Sequence, residues 1–506
     1  MIYKITNIFR FFALSILLVW NVNFVGAAEQ NNILLIIVDD LRPELGCYGN
    51  GQMITPGIDK LATQGMVFDR AYCNVPVCMP SRVSLLTGMP ADRTMGRTRL
   101  LGREFITLPK YLKDHGYTTI SNGKVFHFIE DRAEDWSEPP WRSVPIYHGE
   151  VRWATYNNYG LWQNEESGKL INPETGFGPF YDSADVPDDA YQDGKVANKT
   201  IADLKRFAES NEPFFLACGF WRPHLPFNAP KKYWDLYEPE KLAMADNRFR
   251  AKNLPQLCQN SIEMFEYAGI DGFPDDDAFH RKALHGYYAC VSYIDAQVGK
   301  LLAALKENGL DKNTVVVLIG DHGWHLGEHN FWGKHNTLNN ALHSPLIIRA
   351  PGYPGGKHSL ALTQYIDLYP TLADIVGLDI PVHTEGRSLA PLLENPGMAW
   401  RDALFFFWNE KQHENNKVKL VDAIAVKTDR FLYTEWHEKG EVVDCMLFDH
   451  KIDPGENINI AGKPDMHNTV KDLSKRIEDF MASTSFRRRG EKSVPGVTSQ
   501  EQKRTK

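Results

Sequence analysis

The chain predicts a doubly wound, mainly parallel α/β sheet followed by a smaller antiparallel C-terminal subdomain. Three observations carry this. Continuous apolar runs rich in β-branched residues recur as "NILLIIVDD" (Asn32 to Asp40), "EPFFLACGF" (Glu212 to Phe220), "NTVVVLIGDHG" (Asn313 to Gly323) and "SPLIIRAPG" (Ser344 to Gly352). Unbroken apolarity, in place of alternation, marks strands covered on both faces. Helix-period stretches such as "ITLPKYLKDHGY" and "KTIADLKRFAES" lie between them, as a parallel sheet with crossover helices requires. From about Met398 the pattern changes to short aromatic segments spaced by polar turns, "DALFFFWNE", "AIAVKTDRFLYTEW" and "VVDCMLFDH", which read as antiparallel strands.

Taken in chain order, the N-terminus comes first. Lys4 and Arg10 precede the apolar run "FFALSILLVW", and "VGAA" follows at Val25 to Ala28. Basic, apolar and small residues in that order predict a secretory signal over residues 1–27, removed near Ala27. The run is short of the ~20 apolar residues a spanning helix needs, so no stable membrane anchor is expected after cleavage. The α/β domain is expected over 28–397 and an α+β subdomain over 398–486, closed by a helix in "TVKDLSKRIEDFMAS". Residues 487–506 form a basic tail without apolar periodicity, expected to be disordered. One N-x-S/T site, at Asn198, is sparse for a secretory-pathway glycoprotein of 506 residues. The expected location is therefore secreted or periplasmic, with a bacterial source favoured.

Composition excludes some functions. A formal net charge of −8, with 43% hydrophobic and 24% charged residues, belongs to a globular protein with no basic face for nucleic acid. The seven cysteines, Cys47, Cys73, Cys78, Cys218, Cys258, Cys290 and Cys445, include no C-x-x-C pair. An odd number in an exported chain leaves at least one outside internal disulfides. Cys290 lies in a helix-period stretch and reads as a small core residue. Cys78 stands apart, in "VPVCMPSRVSLLTG" at the start of a predicted helix and beside an arginine.

Chemistry-bearing residues collect at strand ends, where open α/β sheets bind ligands. Asp39 and Asp40 end one run, and Asp321 and His322 end another. Carboxylates converging at one sheet edge repel one another unless a cation lies among them, and oxygen-rich ligation favours calcium or magnesium. Caps on a following helix or turn are the alternative. Lys124 and His127 in "NGKVFH", Arg222 and His224 in "WRPHLPF", and Lys334 in "DHGWHLGEHNFWGKH" are unexplained polar groups beside Gly and Pro. His325 and His329 do not form H-E-x-x-H, and Gly327 disfavours a zinc-binding helix there.

These residues together resemble the type I, formylglycine-dependent sulfatases. The stretch from Cys78 to Gly88 has their C-x-P-S-R…L-T-G form, and the likeness runs from Asn32 through "LFDHKIDPGENIN". "LLIIVDDLRPELGCYG", "CMPSRVSLLTG", "GKVFH", "RPHLPF" and "DHGWHLGEH" are similar to the iduronate-2-sulfatase branch of that family in particular. The resemblance implies an alkaline-phosphatase-like fold and oxidation of Cys78 by a formylglycine-generating maturation enzyme. It implies one calcium ion on Asp39, Asp40, Asp321, His322 and residue 78. It implies that Arg82 stabilises the aldehyde hydrate and that Lys124 and His127 flank its hydroxyls, with His127 as base. His224 and Lys334 match groups that bind the sulfate and protonate the leaving oxygen. Arg42, Trp324, Arg97 and Arg99 are candidates to face a sugar carboxylate. The implied substrate is a sulfated oligo- or polysaccharide containing uronate, such as a glycosaminoglycan or ulvan. A phosphomonoester or phosphonate hydrolase, or a non-catalytic glycan-binding relative, are the alternatives.

Overall fold

In the computed structural model the central sheet is built from Asn32–Val38 (β1), Met66–Phe68 (β2), Thr118–Gly123 (β3), Phe214–Phe220 (β4), Thr314–Gly320 (β5), Leu346–Arg349 (β6) and Lys357–Ser359 (β7). They lie side by side in the order β7-β2-β6-β5-β1-β4-β3. The structure describes residues 30–90, 105–129, 131–143, 163–164, 170–270, 276–414 and 417–483, without the side chains of 410–420. The leader reading over 1–27, Arg97, Arg99 and the basic tail lie outside the described residues.

β1 sits at the centre because every one of its seven residues is buried. It pairs in parallel with β4 on one side and β5 on the other, and β4 pairs in parallel with β3. Leu34, Ile36 and Val38 face one core with Leu216, Val316 and Leu318, while Ile33, Leu35 and Ile37 face another with Phe215, Val315 and Val317. The period-2 side-chain alternation of a strand divides one apolar run between two cores. Helices Gln192–Ser210 and Asp277–Glu307 supply Leu204, Tyr287 and Cys290 to the first core. Helices Cys78–Thr87 (α1) and Leu368–Ile375 supply Val83, Leu85 and Leu372 to the second.

One strand departs from the parallel reading. β6, the core of "SPLIIRAPG", runs antiparallel to both β5 and β2. A parallel partner needs a crossover, usually a full helix, to carry the chain back along the sheet. Between Gly320 and Leu346 the chain instead forms the small hairpin of His325–Leu326 and Trp332–Gly333, a 3₁₀ turn at Glu328–Asn330 and the four-residue helix Asn339–Leu342, and it enters β6 in the opposite direction. Burial on both faces makes its apolar run indistinguishable from a parallel strand.

The C-terminal segment forms an antiparallel meander of Ala403–Glu414, Lys417–Thr428, Phe431–Glu438 and Glu441–Asp449. Helix His467–Ser483 covers one face, packing Leu473 and Ile477 on Ile424, Val426 and Leu447. The other face carries Ala423, Trp436 and Met446 onto Phe331 and Leu338, which bracket Lys334. The second sheet thereby fixes the loop that holds one of the site's cations.

Candidate active site

Four adjacent strands deliver their carboxyl ends to the same edge. Asp39 and Asp40 follow β1, Asp321 and His322 follow β5, Lys124 follows β3, and the turn carrying His224 follows β4. Parallel pairing makes this unavoidable, since β5, β1, β4 and β3 all point one way. Local backbone sharpens the aim. Asp40 is left-handed (φ 57°), which Asp tolerates better than most residues, and its N–H donates to Asp321 Oδ1 at 3.0 Å. Gly123 has φ 78°, and a Cβ there would lie 2.1 Å from the Gly219 carbonyl oxygen, so only glycine lets β3 turn into Lys124.

Cys78 is the first residue of α1. Its N-cap, Val77, has no side-chain acceptor, so first-turn N–H groups and the positive end of the helix dipole are available to an anion. Cys78 is 3% exposed and its sulfur lies 3.3 Å from His322 Nε2. His322 Nδ1 lies 2.9 Å from the Gly323 carbonyl, which takes the ring's proton there and leaves Nε2 as a lone pair facing Cys78 and Asp40 Oδ1, the latter at 3.2 Å. Donor atoms of Asp39, Cys78, Asp321 and His322 lie within 4.8 Å of one another, as do those of Asp40, Cys78 and His224.

These groups fit a hard divalent cation. Asp40 Oδ2 is buried and receives no hydrogen bond from any described residue. Burial pushes the Asp40 carboxyl up to about 7 against the pull of Lys334, so it lacks the positive charge its ionised form needs. Carboxylate oxygens with one imidazole lone pair are a donor set that suits calcium.

Cations frame the cluster. Arg82, one turn along α1 from Cys78 and fully buried, donates from Nε to Asp321 Oδ2 at 2.9 Å. Its Nη1 donates to the carbonyls of Lys124 and, at 3.1 Å, Val125, and its Nη2 lies 3.4 Å from Asp39 Oδ1. One guanidinium thus ties α1 to the ends of β1, β3 and β5. Lys124 pairs with Asp39 Oδ2, and Lys334 with Asp40 Oδ1 at 2.7 Å. Burial, then the nearby Lys124, hold the His127 imidazole well below its ordinary range, so it is neutral and able to accept a proton.

His224 sits on a turn braced by Asp193, which accepts from the N–H groups of Trp221 and Arg222 at 2.8 and 3.1 Å. Its Nδ1 lies 2.8 Å from the Leu225 carbonyl and its Nε2 lies 2.9 Å from Glu263 Oε1. Both ring nitrogens therefore face oxygen acceptors. Burial, then Lys334, outweigh the pull of Glu263 and hold its pKa below the ordinary imidazole value.

The structure brings Asp39, Asp40, Cys78, Arg82, Lys124, His224, Asp321, His322 and Lys334 into contact, with His127 in the same loop as Lys124. Arg42 and Trp324 belong elsewhere. The Arg42 guanidinium is committed to Glu328 at 2.7 Å, Glu44 at 3.2 Å and the Trp324 carbonyl at 3.3 Å. Trp324 is fully buried, its ring 5.0 Å from Lys334 Nζ, so it backs that lysine and presents no face to a sugar. An arginine with both partners supplied internally is a structural brace. Glu263 is the site residue that sequence patterning missed: it lies in "SIEMFEY", a loop without motif, and only folding places it against His224 and Lys334.

Comparison with known proteins gives the family. The sulfatase family model matches residues 31–378, and a model for the C-terminal region of N-sulphoglucosamine sulphohydrolase matches 327–483. The chain belongs to the sulfatase family. Mouse (Mus musculus) iduronate 2-sulfatase is 32% identical over 484 residues, covering 81% of this chain and 85% of the relative. An ulvan-active sulfatase of Formosa agariphila is 27% identical, covering 89% of this chain and 81% of that one. Among solved structures, a phosphonate monoester hydrolase from Silicibacter pomeroyi superposes with a TM-score of 0.70 at 26% identity, covering 90% of this chain and 95% of the other. Sulfatases are sulfuric ester hydrolases, and they generally use calcium and a formylglycine made from an active-site cysteine.

Proposed function

We propose that this sulfatase removes sulfate esters from uronate-containing polysaccharides or their oligosaccharides, with residue 78 acting as formylglycine and one calcium ion held by Asp39, Asp40, Asp321 and His322. The observation that carries the reading is Cys78 at an uncapped helix N-terminus, 3.3 Å from His322 Nε2 and within the acidic cluster. Buried beside carboxylates, the Cys78 thiol is pushed well above its ordinary pKa, by burial first and then by Asp39, so it is a poor nucleophile as a thiol. Oxidised to the aldehyde and hydrated, the same residue offers an oxygen nucleophile. Calcium in this site supplies Lewis-acid polarisation of the ester.

The chain's own groups divide the remaining work. Lys334 and the N–H groups of α1 neutralise the sulfate, and Arg82 holds Asp39 and Asp321 in place. His224 carries the proton that the departing sugar oxygen needs. Neutral His127 accepts a proton when sulfate is released. The substrate class rests on the names of the relatives, iduronate 2-sulfatase and ulvan-active sulfatase. The neighbouring phosphonate hydrolase fold supports a second reading, a hydrolase of phosphonate or phosphate esters. The leader sequence supports export, which sequencing the mature N-terminus would test.

Mass spectrometry of the peptide containing residue 78, from a host with the maturation enzyme, tests the modification. Assays on 2-sulfated uronate disaccharides, an aryl sulfate and an aryl phosphate test the reaction. The reading expects formylglycine, sulfate release, and loss of turnover in Cys78→Ala with the fold intact. Full activity of an unmodified thiol protein would refute it.

A further inference from the structure

Glu263 has no role in the chemistry above. It reaches the site from the short 3₁₀ segment Glu263–Glu266, and its two oxygens go to His224 Nε2 at 2.9 Å and Lys334 Nζ at 3.0 Å. Its side chain is 18% exposed, against 6% for His224 and 2% for Lys334, so it lies on the more open side of both. Burial pushes its carboxyl up, but Lys334 and then His224 outweigh this and keep it well below its ordinary pKa, so it is an anion. Lys334 divides its charge between Glu263 and Asp40 Oδ1. Three fixed cations, Arg82, Lys124 and Lys334, thus face four carboxylates, Asp39, Asp40, Asp321 and Glu263.

The charge of the ligand is what such a carboxylate reads. A tetrahedral anion held by Lys334 shares that ammonium's charge with Glu263, and at His224 it competes with Glu263 for the single Nε2 position. Two acceptors on one nitrogen, each at ordinary hydrogen-bond length, are roughly 5 Å apart. At that separation, out of bulk water, each additional negative charge on the ligand is repelled strongly. A sulfate ester carries one negative charge, as does a phosphonate monoester, whereas a phosphate monoester or free phosphonate carries two.

We infer that Glu263 is a specificity-determining residue that biases the site toward singly charged tetrahedral esters and against doubly charged ones. The inference rests on the reading that His224 and Lys334 hold the anion. Discrimination comes from a repulsive element against the wrong ligand, without a new contact to the right one.

The test is calorimetric binding to full-length, matured protein, using two probes that differ by one methyl group and one charge. Phenylphosphonate, buffered alkaline of its second ionisation, carries two charges, and its monomethyl ester carries one. The wild type should bind the monoester at least about tenfold more tightly. Glu263→Gln, which keeps the shape and removes the charge, should narrow that ratio by about tenfold, while Glu263→Asp should preserve it. An unchanged ratio in Glu263→Gln would overturn the inference, even with aryl sulfate turnover reduced, because a merely structural carboxylate would weaken both probes alike. Absence of any preference in the wild type would overturn it without recourse to a variant. Binding is read independently of turnover, so a protein that binds these anions but hydrolyses no sulfate ester defeats the sulfatase reading alone.

Discussion

His322 Nε2 lies 3.3 Å from the sulfur of Cys78, although 244 residues separate them in sequence. The contact joins the end of β5 to the start of α1, and Asp321 reinforces it by accepting from Arg82 Nε on the same helix. Helix and sheet edge are therefore one unit at the site. Cys78 on the helix cannot shift without disturbing Asp321 and His322 at the strand end.

That coupling predicts how the metal cluster responds to mutation. Asp321 offers a candidate ligand oxygen, holds Arg82 and accepts the Asp40 N–H. Asp321→Ala should lower bound calcium, measured by elemental analysis, and activity together. Removing one partner of a buried ion pair also costs about 3–5 kcal/mol, so the melting temperature should fall. Chelation of the wild type should lower activity while leaving more of the stability, because Arg82 and Lys124 still neutralise the carboxylates. Normal calcium content in Asp321→Ala would count against the cluster as the metal site.

His224 should matter in proportion to how badly the leaving group needs a proton. A sugar alkoxide leaves poorly near neutral pH, whereas a nitrophenolate leaves unaided. His224→Ala is expected to slow a sugar sulfate about 10²–10⁴-fold, the usual worth of general acid catalysis, and nitrophenyl sulfate far less. Arg82 supports the site for both substrates, and Arg82→Ala should slow both. Equal losses for the two substrates in His224→Ala, with calcium content unchanged, would remove it as the acid.

Arg42 and Glu328 contribute to stability at acid pH. Burial raises the Glu328 carboxyl, but Arg42 outweighs it and brings the pKa to about 2, from an ordinary 4.5. A depressed acid contributes stability that is complete above its unfolded pKa and lost as pH falls through its folded one. The pair should therefore contribute fully above about pH 4.5 and fade toward pH 2. Glu328→Gln should cost about 3 kcal/mol at neutral pH, with the difference from wild type shrinking as pH falls from about 4.5 to about 2 in denaturant titrations. Arg42→Ala should destabilise the fold with little change in KM once folded. A raised KM with unchanged stability would restore Arg42 as a substrate contact.

Local chemistry made much of the site legible before any folding. The apolar runs that end in Asp39–Asp40 and Asp321–His322 carry both the strand and its ligands, because parallel strands buried on both faces deliver whatever follows them to one edge. Cys78 and Arg82 were equally visible, four residues apart on one helix face. Contacts across long separations were not. Arg42 meets Glu328 across 286 residues, and Glu263 meets Lys334 only once a loop without motif folds against it. The direction of β6 was hidden because a strand buried on both faces reads the same either way. An arginine near a site is a substrate reader or a brace according to which carboxylates surround it in space, and that environment exists only in the folded chain. Sequence determined which chemistry each strand end carries; tertiary structure decided which charges neutralise one another and which are left to meet a substrate.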